Sequence, residues 1–225
     1  MCGRFATSKN LDQLEEEFSL VGLPSRELPA NWNVAPTQEI YVITDGPKLE
    51  IMRWGLIPTW AKADFVSANT INARRESVHE KPSFRQAFKS RRCFIPADGY
   101  YEWATELGKY PSKQPFFIHR KDKKPLAMAG IYENGTVAII TKEATGALAA
   151  IHNRMPLFLP HDDWEPWLDP SVTDVSLLQG VLHQGLTPEN AGLVADPVSK
   201  RVNRISNNGA ELVTAIELGE RETLL

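Results

Sequence analysis

The sequence contains few cysteines and no long apolar run. Cys2 and Cys93 are the two cysteines among 225 residues, too few for a disulfide framework or a thiolate metal cage in a chain of this length. No apolar stretch approaches the roughly 18 residues that a membrane span requires, and the first residues lack the apolar segment of a signal peptide. We therefore expect a cytoplasmic protein without membrane contact, whose cysteine chemistry uses a free thiol.

Motifs of several common enzyme classes are also missing. The sequence has no Gly-x-Gly-x-x-Gly, no Walker Gly-Lys-Ser/Thr loop, no Gly-x-Ser-x-Gly and no His-Glu-x-x-His. Nucleotide-dependent and zinc-hydrolase activities lose support, and we expect neither a cofactor nor a metal ion. The cluster His161-Asp162-Asp163 precedes an aromatic run at residues 164–168, so we interpret it as the capped start of a helix rather than a ligand set.

The composition is typical of a globular protein of one domain, residues 1–225. Lys and Arg number 25 against 28 Asp and Glu, a net charge of −3, and 42% of the residues are hydrophobic. The charge is unevenly distributed, because residues 53–92 hold nine basic and three acidic residues, or +6. A basic stretch of this kind suits a polyanion partner, although it is commonly only a solvated surface.

Local patterns predict β-strands that are joined by short turns and interrupted by a few helices. A helix should begin after Asn10, and residues 40–44 and 49–54 should form a hairpin. Residues 93–103, 115–119, 126–132 and 136–141 have the composition of strands, the last two joined by a tight turn at Asn134-Gly135. Helical patterns return at residues 144–151, 162–168 and 173–182. The expected fold class is α+β, with a curved, barrel-like, mainly antiparallel β core and peripheral helices.

Cys2 is chemically distinctive because removal of the initiator methionine would make it the first residue of the mature chain. Its α-amine, with a pKa near 7.7 to 8.0, would then be partly unprotonated at neutral pH. Such an amine can attack an aldehyde, and the adjacent thiol can close the resulting imine into a five-membered thiazolidine. The alternative is that Cys2 is a small buried residue in an N-terminal strand.

Three further segments hold polar side chains in apolar or aromatic surroundings. Asn72 and Arg74 lie two residues apart and face the same side of any extended backbone. Glu102 lies among aromatics, where desolvation should raise its pKa. His152 and Arg154 form a third pair. Each has a plain alternative: a capping amide, a surface glutamate and a structural histidine.

Taken together, these segments resemble the SRAP family, the SOS response-associated peptidases, also described as abasic-site processing proteins. The resemblance spans most of the chain, and family members often carry an acidic residue at the position of Asn153. The motifs that carry it are Met1-Cys2-Gly3-Arg4-Phe5, Asn33-Val34-Ala35-Pro36, Arg53-Trp54-Gly55-Leu56-Ile57-Pro58, Ile71-Asn72-Ala73-Arg74, Pro96-Ala97-Asp98-Gly99-Tyr100-Tyr101-Glu102-Trp103 and His152-Asn153-Arg154-Met155-Pro156.

The resemblance implies recognition of abasic sites in single-stranded DNA and covalent attachment through the mature N-terminal Cys2. It implies that Glu102 assists sugar ring opening and proton transfer, that Asn72 orients the amine and the sugar, and that His152 acts on the opened sugar or the imine. Weak strand cleavage by β-elimination is a further expected activity. The peptidase label fits removal of the residue before Cys2.

For the DNA contacts, the same motifs suggest arginines on phosphates and apolar groups on bases. Arg4, Arg74 and Arg154 are the phosphate candidates. Pro36 and Trp60 are expected to border the cleft, Trp60 as a stacking or wedge residue, with packing in the core as its alternative. We expect a monomer that associates with the nucleoid when it acts on DNA, and the sequence identifies no protein partner.

Two other functions remain open from the sequence. Glutamine amidotransferases also start with Met-Cys-Gly and use the cysteine thiol to attack an amide, although the segments around Asn72, Glu102 and His152 do not resemble their layout. The second alternative is a noncatalytic module that binds single-stranded DNA. A glutaminase assay tests the first, and a denaturing gel distinguishes the second from covalent attachment.

Overall fold

The computed structural model describes residues 2–62, 65–104 and 113–218. Their strands are β1 (Phe5–Thr7), β2 (Asn31–Val34), β3 (Glu39–Thr44), β4 (Lys48–Trp54), β5 (Asn72–Arg74), β6 (Arg92–Ala97), β7 (Gly99–Trp103), β8 (Pro115–Arg120), β9 (Leu126–Glu133), β10 (Thr136–Glu143), β11 (Arg154–Pro156) and β12 (Leu193–Pro197). Their α-helices are α1 (Leu11–Phe18), α2 (Arg85–Ser90), α3 (Gly146–Ala149), α4 (Trp164–Leu168) and α5 (Val175–His183). Short 3₁₀ turns cover Ser67–Thr70, His161–Asp163, Lys200–Asn203 and Ala210–Val213.

The larger of two sheets forms a nearly closed ring. Its strands follow the order β11-β10-β4-β3-β6-β9, and β9 pairs again with β10, so that the sheet returns on itself. Most pairs are antiparallel, whereas β4 and β5 both run parallel to β10. The expected α+β fold with a barrel-like, mainly antiparallel core is confirmed.

A second sheet of five strands, in the order β12-β8-β7-β1-β2, packs beside this ring. Alternate side chains of the ring strands, such as Ile40 and Val42, share one buried cluster with Phe5 and Tyr100 of the second sheet. The other face of the ring strands, including Ile43, packs against helical residues such as Trp167. The first cluster also contains Cys2, so the N-terminus enters the protein between the two sheets.

The predicted local turns are confirmed. β3 and β4 pair as an antiparallel hairpin in which Thr44 lies opposite Lys48. Asn134 and Gly135 both have positive φ, 49° and 68°, between β9 and β10. Two consecutive positive φ values match the twist of a two-residue hairpin, which explains why Asn-Gly stands there.

The run at residues 93–103 is not one strand. It divides at Asp98 into β6, which belongs to the ring, and β7, which belongs to the second sheet. Asp98 donates its backbone N–H to Ala6 O and accepts the Ser8 N–H on Oδ2. A Cβ at Gly99 would lie 2.6 Å from Ile118 O, so glycine permits the close crossing with β8. Apolar periodicity alone could not reveal this corner, because both halves are buried.

The helices are short, and two expectations about them were wrong. Asn10 caps α1 through a capping box with Gln13, as the sequence predicts. The segment expected to be helical at residues 144–151 keeps only the turn α3. Asp163 makes no side-chain cap bond to α4; His161–Asp163 is instead a 3₁₀ turn leading into that helix.

No helix within residues 2–62, 65–104 and 113–218 has both the length and the apolar character needed to cross a membrane.

Candidate functional site

Cys2 lies three residues before the start of β1, between the two sheets. In the β1–β7 pair, Phe5 lies opposite Tyr100, and Arg4 O accepts the Tyr101 N–H at 2.9 Å. Continuing this antiparallel register places Gly3 opposite Glu102. Because glycine has no side chain, Gly3 places none opposite Glu102. Cys2 itself is fully buried, and burial strongly raises the pKa of its thiol, with a further contribution from Glu102.

Asn72 holds the Cys2 backbone from the opposite sheet. It begins β5, where it lies beside Ile139 of β10, and its Nδ2 donates to Cys2 O at 2.7 Å. The preceding carbonyl, Ile71 O, accepts from Trp54 Nε1 at 3.0 Å. Asn72 Oδ1 is buried and has no hydrogen-bond partner among the described residues. Nδ2 of Asn72 therefore fixes the Cys2 backbone, whereas Oδ1 can still accept a hydrogen bond.

Glu102 is a buried carboxyl group at the same place. The side chain lies on β7, and the residue is only 3% exposed. Burial raises the pKa of Glu102 from 4.5 to about 7. The predicted desolvation of this glutamate is therefore observed. At neutral pH the group is present in both protonation states, which suits a proton donor and acceptor.

His152 lies next to Glu102. Its Nε2 is 3.9 Å from Glu102 Oε2. His152 Nδ1 lies 3.0 Å from the Arg154 backbone N and 3.3 Å from Arg154 O, so the Arg154 backbone orients the ring and Nε2 is the atom that faces Glu102. Burial lowers the pKa of His152, so the neutral form prevails at neutral pH. The orientation of the His152 ring thus comes from the Arg154 backbone. The side chain of Asn153, the residue between them, is exposed.

The burial of Glu102 should make the free energy of unfolding depend on pH. Because the pKa of Glu102 is raised from 4.5 to about 7 in the folded protein, the unfolded chain releases this proton first as pH rises. The contribution of protonated Glu102 to the free energy of unfolding is therefore fully present below about pH 4.5 and is lost as the pH rises to about 7. Glutamine does not titrate, so Glu102→Gln should not lose stability in this way. The free energy of unfolding of the variant minus that of the parent should therefore rise by about 3 kcal/mol between about pH 4 and pH 8. Urea unfolding at both pH values measures it, and a pH-independent difference would contradict the burial argument.

The arginines predicted to bind phosphates differ in their availability. Arg74 is exposed at the end of β5. Arg154 is 13% exposed and is held by Glu76 through two contacts of 2.9 and 3.0 Å, and its Nη2 donates to Thr141 O. Both arginines flank Thr141 of β10, since Thr141 lies opposite Arg74 in that register. The sequence did not reveal the contact of Glu76 with Arg154, which depends on the pairing of both β5 and β11 with β10.

Arg4 lies on the opposite face of β1 from the Glu102 side chain. Its Nη1 donates to Asn33 Oδ1 at 2.7 Å and to Val202 O at 3.0 Å, and its guanidinium lies 5.8 Å from the Trp103 ring centroid. Burial lowers the pKa of Arg4. In this structure the side chain ties β1 to β2 and to the C-terminal part of the chain.

Pro36 and Trp60 occupy loops. Pro36 is half-buried in the turn between β2 and β3, where the next residue, Thr37, donates its N–H to Trp54 O at 2.8 Å. That turn therefore lies at the end of β4 that also contacts Ile71, beside Asn72. Trp60 is 55% exposed, which rules out the core-packing alternative, and its Nε1 donates to Pro82 O at 3.3 Å. A flat exposed aromatic face remains accessible.

The described residues contain no group of three or more His, Cys, Asp or Glu side chains placed to hold a metal ion. The donors near Cys2 are instead one carboxyl, one imidazole and one amide. Groups of this kind move protons and orient a carbonyl compound rather than polarise it through a metal.

The fold and this site define a mainly antiparallel α+β protein with a buried cysteine at position 2, close to the buried Glu102 and the half-buried His152. The sequence profile of the family described as SOS response associated peptidase (SRAP) matches residues 1–205. The abasic site processing protein YoaM of Bacillus subtilis is 40% identical over 228 residues, 96% of this chain and 98% of the relative. The abasic site processing protein YedK of Escherichia coli is 31% identical over 234 residues, 96% of this chain and 100% of the relative.

Solved structures agree with this relationship. A protein from Bacteroides thetaiotaomicron superposes with a TM-score of 0.80 at 25% identity, covering 96% of this chain and 100% of that one. A phage-related protein from Bordetella bronchiseptica gives a TM-score of 0.67 at 28% identity and covers 88% of this chain and 95% of that one. The chain belongs to the SRAP family.

Proposed function

We propose that this protein recognises abasic sites in single-stranded DNA and attaches itself to them through Cys2, forming a thiazolidine. The observation that carries the proposal is the placement of Cys2 against Glu102, a carboxyl group that titrates near neutrality. The names of relatives such as YoaM and YedK, abasic site processing proteins, point to the same class of substrate. Attachment would shield the lesion, in keeping with the SOS response in the family's description.

The chemistry begins once Met1 has been removed and Cys2 carries the α-amine. A base-free deoxyribose is mainly a closed hemiacetal, and opening it moves the proton of the anomeric hydroxyl to the ring oxygen. Glu102, present in both protonation states near pH 7, can accept the first proton and donate the second. The amine then adds to the aldehyde, and water leaves to give the imine.

Ring closure completes the link. The Cys2 sulfur adds to the carbon of the protonated imine, the carbon–nitrogen π bond becomes the nitrogen lone pair, and the thiol proton is released to a base. Asn72 keeps the Cys2 backbone in place through its bond to Cys2 O, and its Oδ1 can accept a hydrogen bond from the amine. His152, whose Nε2 lies 3.9 Å from Glu102 Oε2, would act on the opened sugar or the imine by hydrogen bonding and proton exchange.

Two lesser activities follow from the same intermediate and terminus. An imine at C1′ of the opened sugar acidifies the hydrogens on C2′. Loss of one of them to a base forms the C2′–C3′ double bond and expels the 3′-phosphate, so weak strand cleavage accompanies slow ring closure. The peptidase activity in the family's description corresponds to removal of the residue preceding Cys2. We propose no activity on other proteins.

The test is mass spectrometry of the intact purified protein after incubation with a single-stranded oligonucleotide that carries one abasic site. We expect one adduct per protein, stable on a denaturing gel, with the mass of both components less one water. An oligonucleotide with a tetrahydrofuran in place of the abasic sugar lacks the aldehyde and is the matched control. Binding without any adduct would favour the noncatalytic DNA-binding module, and glutamine hydrolysis without an adduct would favour the amidohydrolase.

DNA binding gives a separate prediction for Arg74. This exposed arginine should contact one phosphate, so Arg74→Ala should weaken binding to the tetrahydrofuran oligonucleotide. It should also reduce the slope of log K against log salt by about 0.7, the value of one single-strand contact. Arg120→Ala makes the same change of charge at the far end of β8, where Arg120 pairs with Asp122, and should leave the slope unchanged. Equal slopes for Arg74→Ala and the parent would contradict the assignment.

A further inference from the structure

Tyr100 carries a hydroxyl group that has no partner. The residue is fully buried, and its OH forms no hydrogen bond with any described residue. Buried hydroxyls are nearly always satisfied, because an unpaired donor loses its hydration without compensation. The next residue shows the ordinary situation, since Tyr101 OH donates to Trp32 O at 2.7 Å. An uncompensated donor in an otherwise well-bonded strand indicates a role outside the resting structure.

The hydroxyl lies in the space around the Cys2 side chain. Tyr100 and Glu102 are two residues apart on β7 and therefore point to the same side of the sheet. Tyr100 lies opposite Phe5, three residues after Cys2, and belongs to the same buried cluster as Cys2. Its ring packs against Phe158 with a centroid distance of 6.4 Å, which limits the directions in which the phenol can turn.

The phenol remains protonated under all working conditions. Burial raises the pKa of Tyr100 well above 10, and the Cys2 thiol and the Glu102 carboxyl both add to this effect, Cys2 more strongly. A phenol that stays protonated keeps a proton to donate. An atom that gains negative charge close to Cys2 would be a suitable acceptor for it.

We propose that the Tyr100 hydroxyl donates a hydrogen bond to the Cys2 sulfur while that sulfur closes the thiazolidine ring. This inference rests on the proposed function. In the closing step the sulfur–carbon bond forms, the π bond of the protonated imine becomes the nitrogen lone pair, and the thiol proton passes to the Glu102 carboxylate. Tyr100 keeps its own proton throughout and stabilises the partial negative charge on sulfur.

The burial of Cys2 explains why such a donor is needed. A fully buried thiol ionises with difficulty, because no water stabilises the thiolate. A neighbouring carboxylate opposes the negative charge further. A fixed neutral donor lowers the cost of the thiolate without adding a positive charge that would keep the α-amine from attacking. Hydrogen bonds to charged groups are stronger than neutral ones, so the effect falls on the step in which sulfur carries charge.

The experiment separates imine formation from ring closure in Tyr100→Phe. Protein and abasic single-stranded oligonucleotide are mixed in a single turnover, and samples are stopped with or without borohydride. Borohydride reduces the imine to a stable amine, so it counts all attached protein, whereas only the closed ring survives denaturation without it. We expect the variant to form the borohydride-dependent product at the parental rate and the borohydride-independent product about 10- to 100-fold more slowly.

Tyr101→Phe is the matched control, because it removes a hydroxyl that has a partner on the other side of the same strand. It should lower the melting temperature by about 2–4 °C and leave ring closure unchanged. Tyr100→Phe should instead keep or raise the melting temperature, since it removes an unpaired donor. Closure at the parental rate, an equal loss of both products, or a melting temperature lowered as in Tyr101→Phe would each overturn the inference. Absence of any product from the parent protein would overturn the proposed function itself.

Discussion

Cys2→Ala should abolish the denaturant-stable complex with abasic DNA while noncovalent binding stays largely intact. Alanine is as small as cysteine at the second position, so removal of Met1 is still expected, and the α-amine is retained. An imine can then form, but no thiol closes it. The remaining product should therefore appear on a denaturing gel only after borohydride reduction, and binding to the tetrahydrofuran oligonucleotide should match the parent.

Cys93→Ala provides the matched control for a lost thiol. Cys93 is also fully buried, but it lies on β6 within the ring and pairs with Gly130 of β9. This variant should crosslink at the parental rate, apart from any loss through unfolding. If Cys2→Ala still gave the borohydride-independent complex at the parental rate, the assignment of Cys2 would be wrong.

The amine can be tested independently of the thiol. A short N-terminal extension that retains Met1 leaves the Cys2 thiol intact but converts its α-amine into an amide. Because imine formation requires the amine, the extended protein should crosslink almost as poorly as Cys2→Ala, with and without borohydride. Crosslinking that survives the extension would instead indicate a mechanism that uses the thiol alone.

The features predictable from the sequence are those with a local cause. The turn at Asn134-Gly135 follows from two residues that tolerate positive φ, and the α1 cap follows from Asn10 and Gln13. The hypothesis about Cys2 follows from its place directly after Met1. In each case the relevant groups are separated by at most a few residues, so composition and spacing already contain the physical reason.

The features that the sequence did not predict depend on pairing between distant strands. The corner at Asp98 exists because β6 pairs with β9 whereas β7 pairs with β1 and β8. Arg154 is held by Glu76, 78 residues away in sequence. The unpaired hydroxyl of Tyr100 becomes visible only when all neighbours are known, because aromatic residues on a buried strand ordinarily indicate packing alone.

Glu102 combines both kinds of information. Its aromatic neighbours predicted desolvation, but their side chains do not all face it: Tyr101 and Trp103 point to the other side of β7, where Tyr101 joins a separate cluster. The surroundings that bury the carboxyl come instead from Tyr100, Cys2 and the ring sheet. The direction of the pKa change was therefore predictable, whereas the groups that cause it were not.

Glu102→Gln should slow crosslinking far more than it weakens DNA binding. Glutamine keeps the shape of the side chain but cannot exchange a proton. Both the opening of the hemiacetal and the loss of water from the amine adduct require proton transfer, for which a group with a pKa of about 7 is well suited. General acid and base assistance contributes roughly 100- to 10,000-fold, so a loss of that order is expected in the single-turnover rate.

The pH profile and a second substrate distinguish catalysis by Glu102 from support of the fold. The parental rate should change with an apparent pKa near that of Glu102, about 7, whereas Glu102→Gln should keep only the inflection of the α-amine, near 7.7 to 8.0. A small aldehyde that cannot close into a hemiacetal bypasses ring opening, so the deficit of the variant should shrink with it. Urea unfolding of the variant at the pH of the rate measurement shows whether loss of folded protein contributes to a slow rate. A rate that falls only in proportion to binding, with the lower inflection preserved, would assign Glu102 to the scaffold and leave proton transfer to another group.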